Sequence, residues 1–313
     1  MKALIIDSIH PIVTEELSPY MQIDTRMLPT QEQLAEIIGE YDVLIMRVDP
    51  AINKEILDAA KNLKVIAVCA VGLNHVDLDY AKEKGVQVFN APGWSDNAVA
   101  ELTISKMLDI SRGTMIANHE VRVKKVWNKY KFYGSELRGK TLGIMGFGRI
   151  GRRVAKLANA FDMNIVAYDP FLPPEVFTEN FAVGVSKEEL LKVSDYVTIH
   201  LPLLPETKGL ISAESIKTMK DTAIVLNMSR GGIVNEADTY EALTTGKLGG
   251  YATDVMESEL VGGGLTTGAG FDSPLFDCTN FIVSPHIGAQ TQDAAYLIGV
   301  DIIAKMKAAL NLQ

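Results

Sequence analysis

Short apolar runs alternate with stretches of helical hydrophobic spacing along the first third of the chain. A run of four or five apolar residues bounded by polar turns is typical of a strand in a parallel sheet, because such a strand is covered on both faces. Apolar residues repeated every three or four positions indicate helices. The pattern predicts strands at 2–6, 43–46, 64–68 and 86–89, and helices near 31–38, 53–60 and 78–84. These elements form a small α/β unit.

A long amphipathic segment from Ala98 to about Val126 follows, and we expect it to lead into a second α/β unit. Strands are predicted there at 142–145, 164–168, 196–199, 223–226, 250–253 and 281–283. The final segment, 292–310, is helical with no strand after it, so we expect it to return to the first unit. The predicted fold class is α/β, with two doubly wound parallel-sheet domains, Rossmann-like or flavodoxin-like, separated by a cleft.

Three glycines stand between the strand at 142–145 and the helix that follows it, in the spacing Gly146, Gly148, Gly151. The first permits a tight turn, the second lets the backbone approach a pyrophosphate, and the third lets the helix pack on the strand. A helix N-terminus there offers free N–H groups and a positive dipole to phosphates. This strand–turn–helix order predicts a dinucleotide site.

Asp169 closes the next strand, eighteen residues beyond Gly151. That spacing is close to the roughly 20 residues expected for an acid that accepts hydrogen bonds from the adenosine ribose. Because a carboxylate repels a 2′-phosphate, NAD is favoured over NADP. The alternative interpretation is an Asp that only caps the turn before Pro170. We expect residues 99–289 to bind NAD, and residues 1–98 with 290–313 to bind the substrate.

Length and charge agree with an enzyme of two domains. The chain has 313 residues, and a single core stops growing at roughly 250–300. A net charge of −9 argues against a nucleic-acid partner, which a basic stripe would reveal. No run of roughly 18 apolar residues indicates a membrane span, and the first strand begins near Met1, so no signal peptide is expected and we predict a cytoplasmic protein. Two isolated cysteines indicate neither a disulfide framework nor a metal site.

Three chemically complementary side chains follow the last strands of the second unit. Arg230 follows the fourth strand, Glu259 the fifth and His286 the sixth. The carboxyl ends of parallel strands meet at one edge of a sheet. There the histidine could protonate a carbonyl oxygen as hydride reaches the carbon, while the carboxylate favours the protonated imidazole and the arginine binds a substrate carboxylate. This combination predicts hydride transfer to a 2-oxo acid.

Each of these residues also has an ordinary structural interpretation, as a surface cap, a solvated acid or a buried polar group. His200 is the second choice for the acid, since it also follows a strand. Glu257 is the alternative to Glu259 as the partner of the histidine.

The chain from about Val65 onward resembles the D-isomer-specific 2-hydroxy acid dehydrogenases. Four blocks of sequence carry the resemblance: residues 70–77 with 90–93 and 98–101; residues 137–151; residues 200–207; and the set Ser229–Gly231, Glu259 and Pro285–Ala289. The resemblance implies that Arg230 binds and polarises the substrate, that Glu259 supports His286, and that His286 is the acid–base residue. It also implies a substrate domain divided between both ends of the chain, and a homodimer through the segment 98–135.

The resemblance places further contacts on both domains. Backbone amides of Val71 and Gly72 would bind the substrate carboxylate, beside Arg230 and His286. The implied cofactor contacts are Gly146, Gly148, Arg149, Ile150, Gly151, Asp169, His200, Leu201, Pro202, Thr207, Met228, Ser229, Arg230, Asp254, His286 and Gly288.

The substrate is predicted from two further segments. Residues 127–131 and 285–291 most resemble the corresponding segments of short phosphoglycerate dehydrogenases. The expected substrate is therefore D-3-phosphoglycerate, or 3-phosphohydroxypyruvate when the reaction runs in the direction of reduction. Its phosphate would need a cation, for which Arg47, Lys129 and Lys131 are the candidates; the alternative interpretation is that these residues form only a solvated charged face. No regulatory domain is expected after residue 313, and hence no feedback by serine.

Two departures from the family pattern leave alternatives open. Leu260 replaces the proline usual after the catalytic glutamate, and a Gly-rich loop at 261–270 lengthens the stretch before His286. Such a loop could cover the crevice or alter which side chain is accepted. The alternative substrates are D-lactate, 2-hydroxyisocaproate, glyoxylate and hydroxypyruvate. A non-catalytic NAD-responsive binding module is the alternative of a different class.

Overall fold

The computed structural model describes residues 1–260 and 270–312, so that nine residues of the Gly-rich loop lie outside the described part. The chain divides into two compact units, Met1–Ser95 with Ala289–Gln313, and Asp96–Gly288. Among the described residues, no helix combines the length and the hydropathy needed to cross a bilayer.

The first unit is built on a five-stranded parallel sheet in the order β2-β1-β3-β4-β5. This is the flavodoxin-like doubly wound order 2-1-3-4-5. Its strands are β1 (Lys2–Ile5), β2 (Gln22–Thr25), β3 (Val43–Met46), β4 (Val65–Val68) and β5 (Gln87–Phe89). Its helices are α1 (Ile12–Leu17), α2 (Gln31–Ile37), α3 (Lys54–Ala59), α4 (Leu78–Glu83) and α12 (Gln292–Ala309). The central strands β3 and β4 are buried at every position, as their apolar sequences predict.

Two elements of this unit were not predicted from the sequence. The strand β2 pairs only with β1 and is polar, because an edge strand needs no apolar face on both sides. The second missed element is the six-residue helix α1, which buries Val13 and Leu17. By contrast, the predicted C-terminal helix is present as α12, which packs against α1 and β4 and buries Ile298, Ile302 and Met306.

The second unit holds a seven-stranded parallel sheet in the order β12-β11-β10-β9-β6-β7-β8. Renumbered within the unit, the order is 3-2-1-4-5-6-7, the Rossmann order with one strand added. Its strands are β6 (Thr141–Met145), β7 (Asn164–Tyr168), β8 (Val183–Gly184), β9 (Tyr196–Ile199), β10 (Ile224–Asn227), β11 (Gly250–Thr253) and β12 (Phe281–Val283). Its helices are α5 (Asp96–Arg112), α6 (Thr114–Arg122), α7 (Arg149–Asn159), α8 (Pro174–Thr178), α9 (Lys187–Val193), α10 (Ala213–Thr218) and α11 (Glu236–Thr245). The predicted fold class of both sheets is confirmed.

This unit differs from the sequence prediction in two places. The amphipathic segment from Ala98 is two helices and not one, because Gly113 adopts a left-handed conformation (φ +61°) that ends α5. The strand β8, which was not predicted, has only two residues, both exposed, and so carries no hydrophobic signal. Single-turn 3₁₀ helices at Ile38–Glu40, Lys129–Lys131, Glu257–Leu260 and Pro274–Asp277 complete the described elements.

Candidate active site

The turn between β6 and α7 gives its three glycines three different steric environments. Gly146 has φ +87°, and a Cβ there would lie 2.6 Å from the carbonyl oxygen of His200. A Cβ on Gly151 would lie 2.3 Å from the carbonyl oxygen of Gly146. Beside Gly148, by contrast, nothing in the described structure lies within 4 Å of the Cβ position. The fold therefore requires glycine at 146 and 151, whereas the space at 148 is open to a ligand.

The N-terminus of α7 meets this open space. Gly148 is its N-cap, no side chain caps it, and the helix runs for eleven residues. Its first N–H groups and its dipole are therefore available to an anion. Arg149, predicted to contact the cofactor, has its Nε 2.9 Å from Oδ2 of Asp96.

Asp169 lies directly after β7 and is held against the glycine turn. Its Oδ2 accepts a hydrogen bond from the amide of Phe147 (3.0 Å), and its Oδ1 accepts one from the amide of Phe171 (3.1 Å). The second bond caps the turn around Pro170, as the alternative interpretation expected. Because a carboxylate has about four acceptor positions, the same group retains capacity for a ribose hydroxyl. The turn, the helix end and this carboxylate fit a pyrophosphate and an adenosine ribose.

The turn that carries Arg230 is shaped by the buried side chain of Asn227, the last residue of β10. The Asn227 amide nitrogen donates to the carbonyl oxygen of Arg230 (2.9 Å), and its Oδ1 accepts from the amide and hydroxyl of Ser229 (3.1 and 2.8 Å). Arg230 is half-buried, and its Nη1 donates to the carbonyl oxygen of Ser229 (2.7 Å). Three hydrogen bonds to one fully buried amide therefore define the local backbone from which the guanidinium extends.

The turn that carries His286 is shaped by Asp254, which is 2% exposed at the end of β11. Its Oδ1 accepts from the Ser284 hydroxyl (2.5 Å) and the Ile287 amide (2.9 Å), and its Oδ2 accepts from the Gly288 amide (2.7 Å). His286 has φ +53°, an uncommon conformation for a residue other than glycine. The strained backbone is stabilised by this network, which is how such conformations persist at functional sites.

The structure pairs His286 with Glu259. Nδ1 of His286 lies 2.8 Å from Oε2 of Glu259, so the imidazole N–H donates to the carboxylate. Oε1 of Glu259 accepts from the Met256 amide (2.7 Å), which orients the carboxylate. The alternative partner, Glu257, instead accepts a hydrogen bond from the Glu236 amide (3.0 Å). Half of the His286 side chain is exposed. The Glu259 carboxylate therefore orients an imidazole that lies at an accessible edge of the sheet.

Arg230 belongs to the same edge, since β10, β11 and β12 are neighbours in the sheet. The chain after Arg230 touches the chain before Glu259, because a Cβ on Gly231 would lie only 2.1 Å from the carbonyl oxygen of Met256. The structure therefore brings together the ends of the three strands that carry the predicted catalytic residues.

His200, the second choice for the acid, is unsuited to that role. Burial lowers its pKa to about 3, so the ring is neutral near neutral pH. Its Nε2 lies 3.0 Å from the Thr198 hydroxyl, and its Nδ1 is buried without a partner in the described part of the chain. A neutral imidazole is a much weaker acid than an imidazolium, so His200 suits the role of proton donor less well than His286.

The remaining predicted cofactor contacts lie around the same sheet edge. Thr207 donates to the carbonyl oxygen of Pro202 (2.6 Å) and accepts from the Leu204 amide (2.8 Å), so it closes the loop after β9. Leu201 lies against the glycine turn, 2.9 Å from the position of a Cβ on Gly146. Ile150 and Met228 pack on the apolar core of this unit.

In the first unit, Arg47 lies just after β3 and donates from Nη1 to Oε1 of Gln290 (2.6 Å). It lines a small cavity with Ser8, His10 and Cys69. Val71 is exposed, and neither it nor Gly72 donates an amide hydrogen bond to another described residue. These groups are available to a ligand carboxylate or phosphate.

The two lysines considered as alternatives to Arg47 lie in the second unit, in the 3₁₀ turn Lys129–Lys131. Lys131 forms an ion pair with Glu120, and Lys129 lies over the ring of Tyr130, 5.2 Å from its centroid.

Asn227 and Asp254 show what sequence reasoning missed, since the first was not assigned a role and the second was expected only to touch the cofactor. A signal was present in both cases. Each is a polar residue at the end of an apolar strand, where burial demands hydrogen-bond partners.

Together the glycine turn, Asp169 and the Glu259–His286 pair define a dinucleotide-binding α/β protein with an acid–base pair at the carboxyl edge of its sheet. Residues 104–288 match the family model of the D-isomer specific 2-hydroxyacid dehydrogenase, NAD binding domain. The chain belongs to this family, and its cofactor is NAD.

Individual relatives support the family but differ in substrate. The chain is 38% identical over 313 residues to the D-3-phosphoglycerate dehydrogenase of Methanocaldococcus jannaschii, covering 99% of this chain and 58% of that protein. It is 39% identical over 276 residues to the hydroxypyruvate reductase of Thermotoga maritima, covering 88% of this chain and 87% of that one. The chain thus spans little more than half the length of its phosphoglycerate dehydrogenase relatives.

A solved structure shows the same fold. D-lactate dehydrogenase from Aquifex aeolicus, complexed with NAD and lactic acid, superposes with a TM-score of 0.83 and 28% identity. The match covers 99% of this chain and 96% of that one.

Proposed function

We propose that the protein is an NAD-dependent oxidoreductase that interconverts a D-2-hydroxy acid and its 2-oxo acid. The observation that carries this proposal is the 2.8 Å pair of Glu259 and His286 at the sheet edge that also presents Arg230. An accessible imidazole oriented by a carboxylate is suited to proton transfer at a carbonyl oxygen. NAD held at the glycine turn would supply the hydride in its reduced form and accept it in its oxidised form.

The residues divide the remaining chemistry between them. During reduction, Nε2 of His286 gives a proton to the carbonyl oxygen as that oxygen gains negative charge, and during oxidation the same nitrogen removes the hydroxyl proton. Glu259 stabilises the imidazolium through Nδ1. Arg230 binds the substrate carboxylate with two parallel hydrogen bonds. One hydride and one proton therefore convert each 2-oxo acid into a 2-hydroxy acid.

We propose D-3-phosphoglycerate, with 3-phosphohydroxypyruvate as its oxidised form, as the substrate. Arg47 supports this choice, because it is a guanidinium at the carboxyl edge of the first sheet, oriented by Gln290 beside Ser8. A planar guanidinium is suited to a phosphate. The matched phosphoglycerate dehydrogenases point the same way. Hydroxypyruvate is the second candidate, since the Thermotoga maritima relative of similar length is a hydroxypyruvate reductase.

A substrate panel tests both proposals. NADH oxidation is followed with phosphohydroxypyruvate, hydroxypyruvate, pyruvate, glyoxylate and 2-oxoisocaproate. We expect kcat/KM to be largest for phosphohydroxypyruvate. Arg47→Ala should reduce kcat/KM for that substrate by at least tenfold and for hydroxypyruvate by less than threefold, whereas the exposed Lys61→Ala should change neither. Equal kcat/KM of the wild type for phosphohydroxypyruvate and hydroxypyruvate would favour hydroxypyruvate as the substrate. Tight NAD binding without turnover of any acid in the panel would favour a binding module.

We propose further that the chain forms a homodimer through the segment 98–135. In support, this segment exposes several large side chains that a single chain leaves in water, among them Trp127 (84% exposed), Tyr130 (70%) and Tyr133 (83%). Exposed aromatic clusters of this kind are typical of protein interfaces. Light scattering after size exclusion should give a molar mass twice the chain mass of 34.1 kDa. A variant that combines Trp127→Ala and Tyr133→Ala should have a molar mass closer to 34.1 kDa. A monomeric wild type would contradict this.

A further inference from the structure

We propose that Glu236 and Glu257 form a positioning pair that holds Glu259 against His286, an inference that rests on the proposed function. The two residues exchange side-chain-to-backbone hydrogen bonds. The Glu257 amide donates to Oε1 of Glu236 (2.6 Å), and the Glu236 amide donates to Oε1 of Glu257 (3.0 Å). We call this reciprocal arrangement the carboxylate clasp.

The clasp joins two elements that are distant in sequence. Glu236 is the first residue of α11, after the N-cap Asn235, and Glu257 begins the 3₁₀ turn Glu257–Leu260 that carries Glu259. At Glu236 the Glu257 carboxylate satisfies a helix N-terminal amide and interacts favourably with the helix dipole. The start of the turn is thereby fixed to the start of a regular helix.

The position of Glu259 depends on this turn at two points. Its own Oε1 accepts the Met256 amide (2.7 Å), one residue before the clasp. The Met256 carbonyl oxygen lies against Gly231, where a Cβ would approach to 2.1 Å. A turn released from α11 would move Met256 and with it the anchor of the Glu259 carboxylate. Because reacting groups tolerate little misplacement, a shift of this kind lowers the rate at the reacting centre.

Neither member of the clasp hydrogen-bonds to His286 within the described residues, so both act through Glu259. The clasp also concentrates negative charge. Burial, together with the nearby charges of Glu257 and Glu259, raises the pKa of the Glu236 carboxyl. Each hydrogen bond of the clasp needs an acceptor oxygen at that position, which a glutamine amide also provides.

The test compares alanine with glutamine at each position. Glu257→Ala and Glu236→Ala should each lower kcat about tenfold on the best 2-oxo acid of the panel, with less than twofold change in the Kd for NADH. Glu257→Gln and Glu236→Gln should stay within threefold of the wild type. The exposed Glu241→Ala, on the same helix α11, is the matched control and should behave as wild type in both kcat and thermal unfolding.

A double variant separates positioning from general damage. In a Glu259→Ala background, adding Glu257→Ala should lower kcat by less than a further twofold, because the group being positioned is already absent. A further tenfold loss in that background would overturn the proposal, since the clasp would then act independently of Glu259.

A spectroscopic readout does not depend on turnover. With ¹⁵N-histidine labelling, the chain gives five imidazoles, and the signal absent from His286→Gln identifies His286. Its Nδ1–H resonance should move or broaden in Glu257→Ala and Glu236→Ala, and should be retained in both glutamine variants and in Glu241→Ala. If the wild type turns over no acid but this pattern appears, the proposed function fails and the positioning pair stands. An unmoved resonance and an unchanged kcat in both alanine variants would overturn the pair.

Discussion

Gly148→Ala offers a sharp separation of cofactor binding from folding. Beyond its chain neighbours, no described residue lies within 4 Å of the added Cβ, and φ at this position is negative (φ −70°, ψ −157°), the sign that L-residues favour. Two stability effects oppose each other. Alanine restricts the unfolded chain, which stabilises by about 0.4–1 kcal/mol. It is also a poorer N-cap than glycine, which costs roughly the same amount. We therefore expect the unfolding free energy to change by less than about 1 kcal/mol.

Binding should respond much more strongly. The added methyl occupies the side from which a pyrophosphate must approach the N-terminus of α7. Losing one charge-assisted hydrogen bond costs about 1.5–3 kcal/mol, or roughly 10- to 100-fold in the Kd for NADH. The contrasting variant is Gly151→Ala, whose Cβ would lie 2.3 Å from the carbonyl oxygen of Gly146. That variant should lose about 1–3 kcal/mol of stability through overpacking.

Calorimetric titration with NADH gives the affinity, and chemical unfolding followed by circular dichroism gives the stability. An unchanged NADH affinity in a fully folded Gly148→Ala protein would refute the placement of the cofactor at this turn. Equal losses of stability in Gly148→Ala and Gly151→Ala would refute the distinction between the two glycines.

Three further predictions concern the same unit. Asp169→Ala should raise the Kd for NADH about tenfold and reduce the preference for NADH over NADPH, measured by titration with both, since the carboxylate that repels a 2′-phosphate is removed. His286→Ala should lower kcat by roughly 10²–10⁴-fold while the Kd for NADH changes little, and equal losses in both would contradict its role in proton transfer. Because burial lowers the pKa of His200 to about 3, the unfolded chain binds the extra proton between about pH 6.5 and 3, so stability falls as the pH falls through this window. Between pH 7 and pH 5 this residue should lower the free energy of unfolding by about 2 kcal/mol. His200→Gln should lose that part of the pH dependence, measured by urea unfolding at each pH. An unchanged pH dependence in His200→Gln would show that the native imidazole is hydrated.

Much of the fold could be predicted because parallel strands are covered on both faces. The apolar sequences of β3, β4 and β9 reflect that burial directly. Elements that bury little were missed for the same reason, as with β2 at a sheet edge and the two-residue β8. The break at Gly113 was missed because a glycine inside an amphipathic pattern does not reveal its backbone conformation.

The candidate site likewise has parts that the sequence predicted and parts that only the structure shows. The glycine turn could be recognised from the chain itself, because its three glycines lie within six residues, between a predicted strand and the helix that follows it. Glu259 was predicted to orient His286, with Glu257 as the alternative, and the structure pairs Glu259 with the imidazole while Glu257 bonds to the first residue of α11. That choice depends on a difference of two residues within one turn, which only packing against another element can decide.

The sequence by itself therefore determined the order of elements, the two doubly wound sheets and the nature of the phosphate turn, since these follow from hydrophobic period and from glycine at defined spacings. Tertiary structure alone decided the hydrogen-bond network of Asp254 and the carboxylate clasp. Each joins residues at least 21 positions apart in the chain, and no local preference reports a contact that exists only once the sheet has assembled.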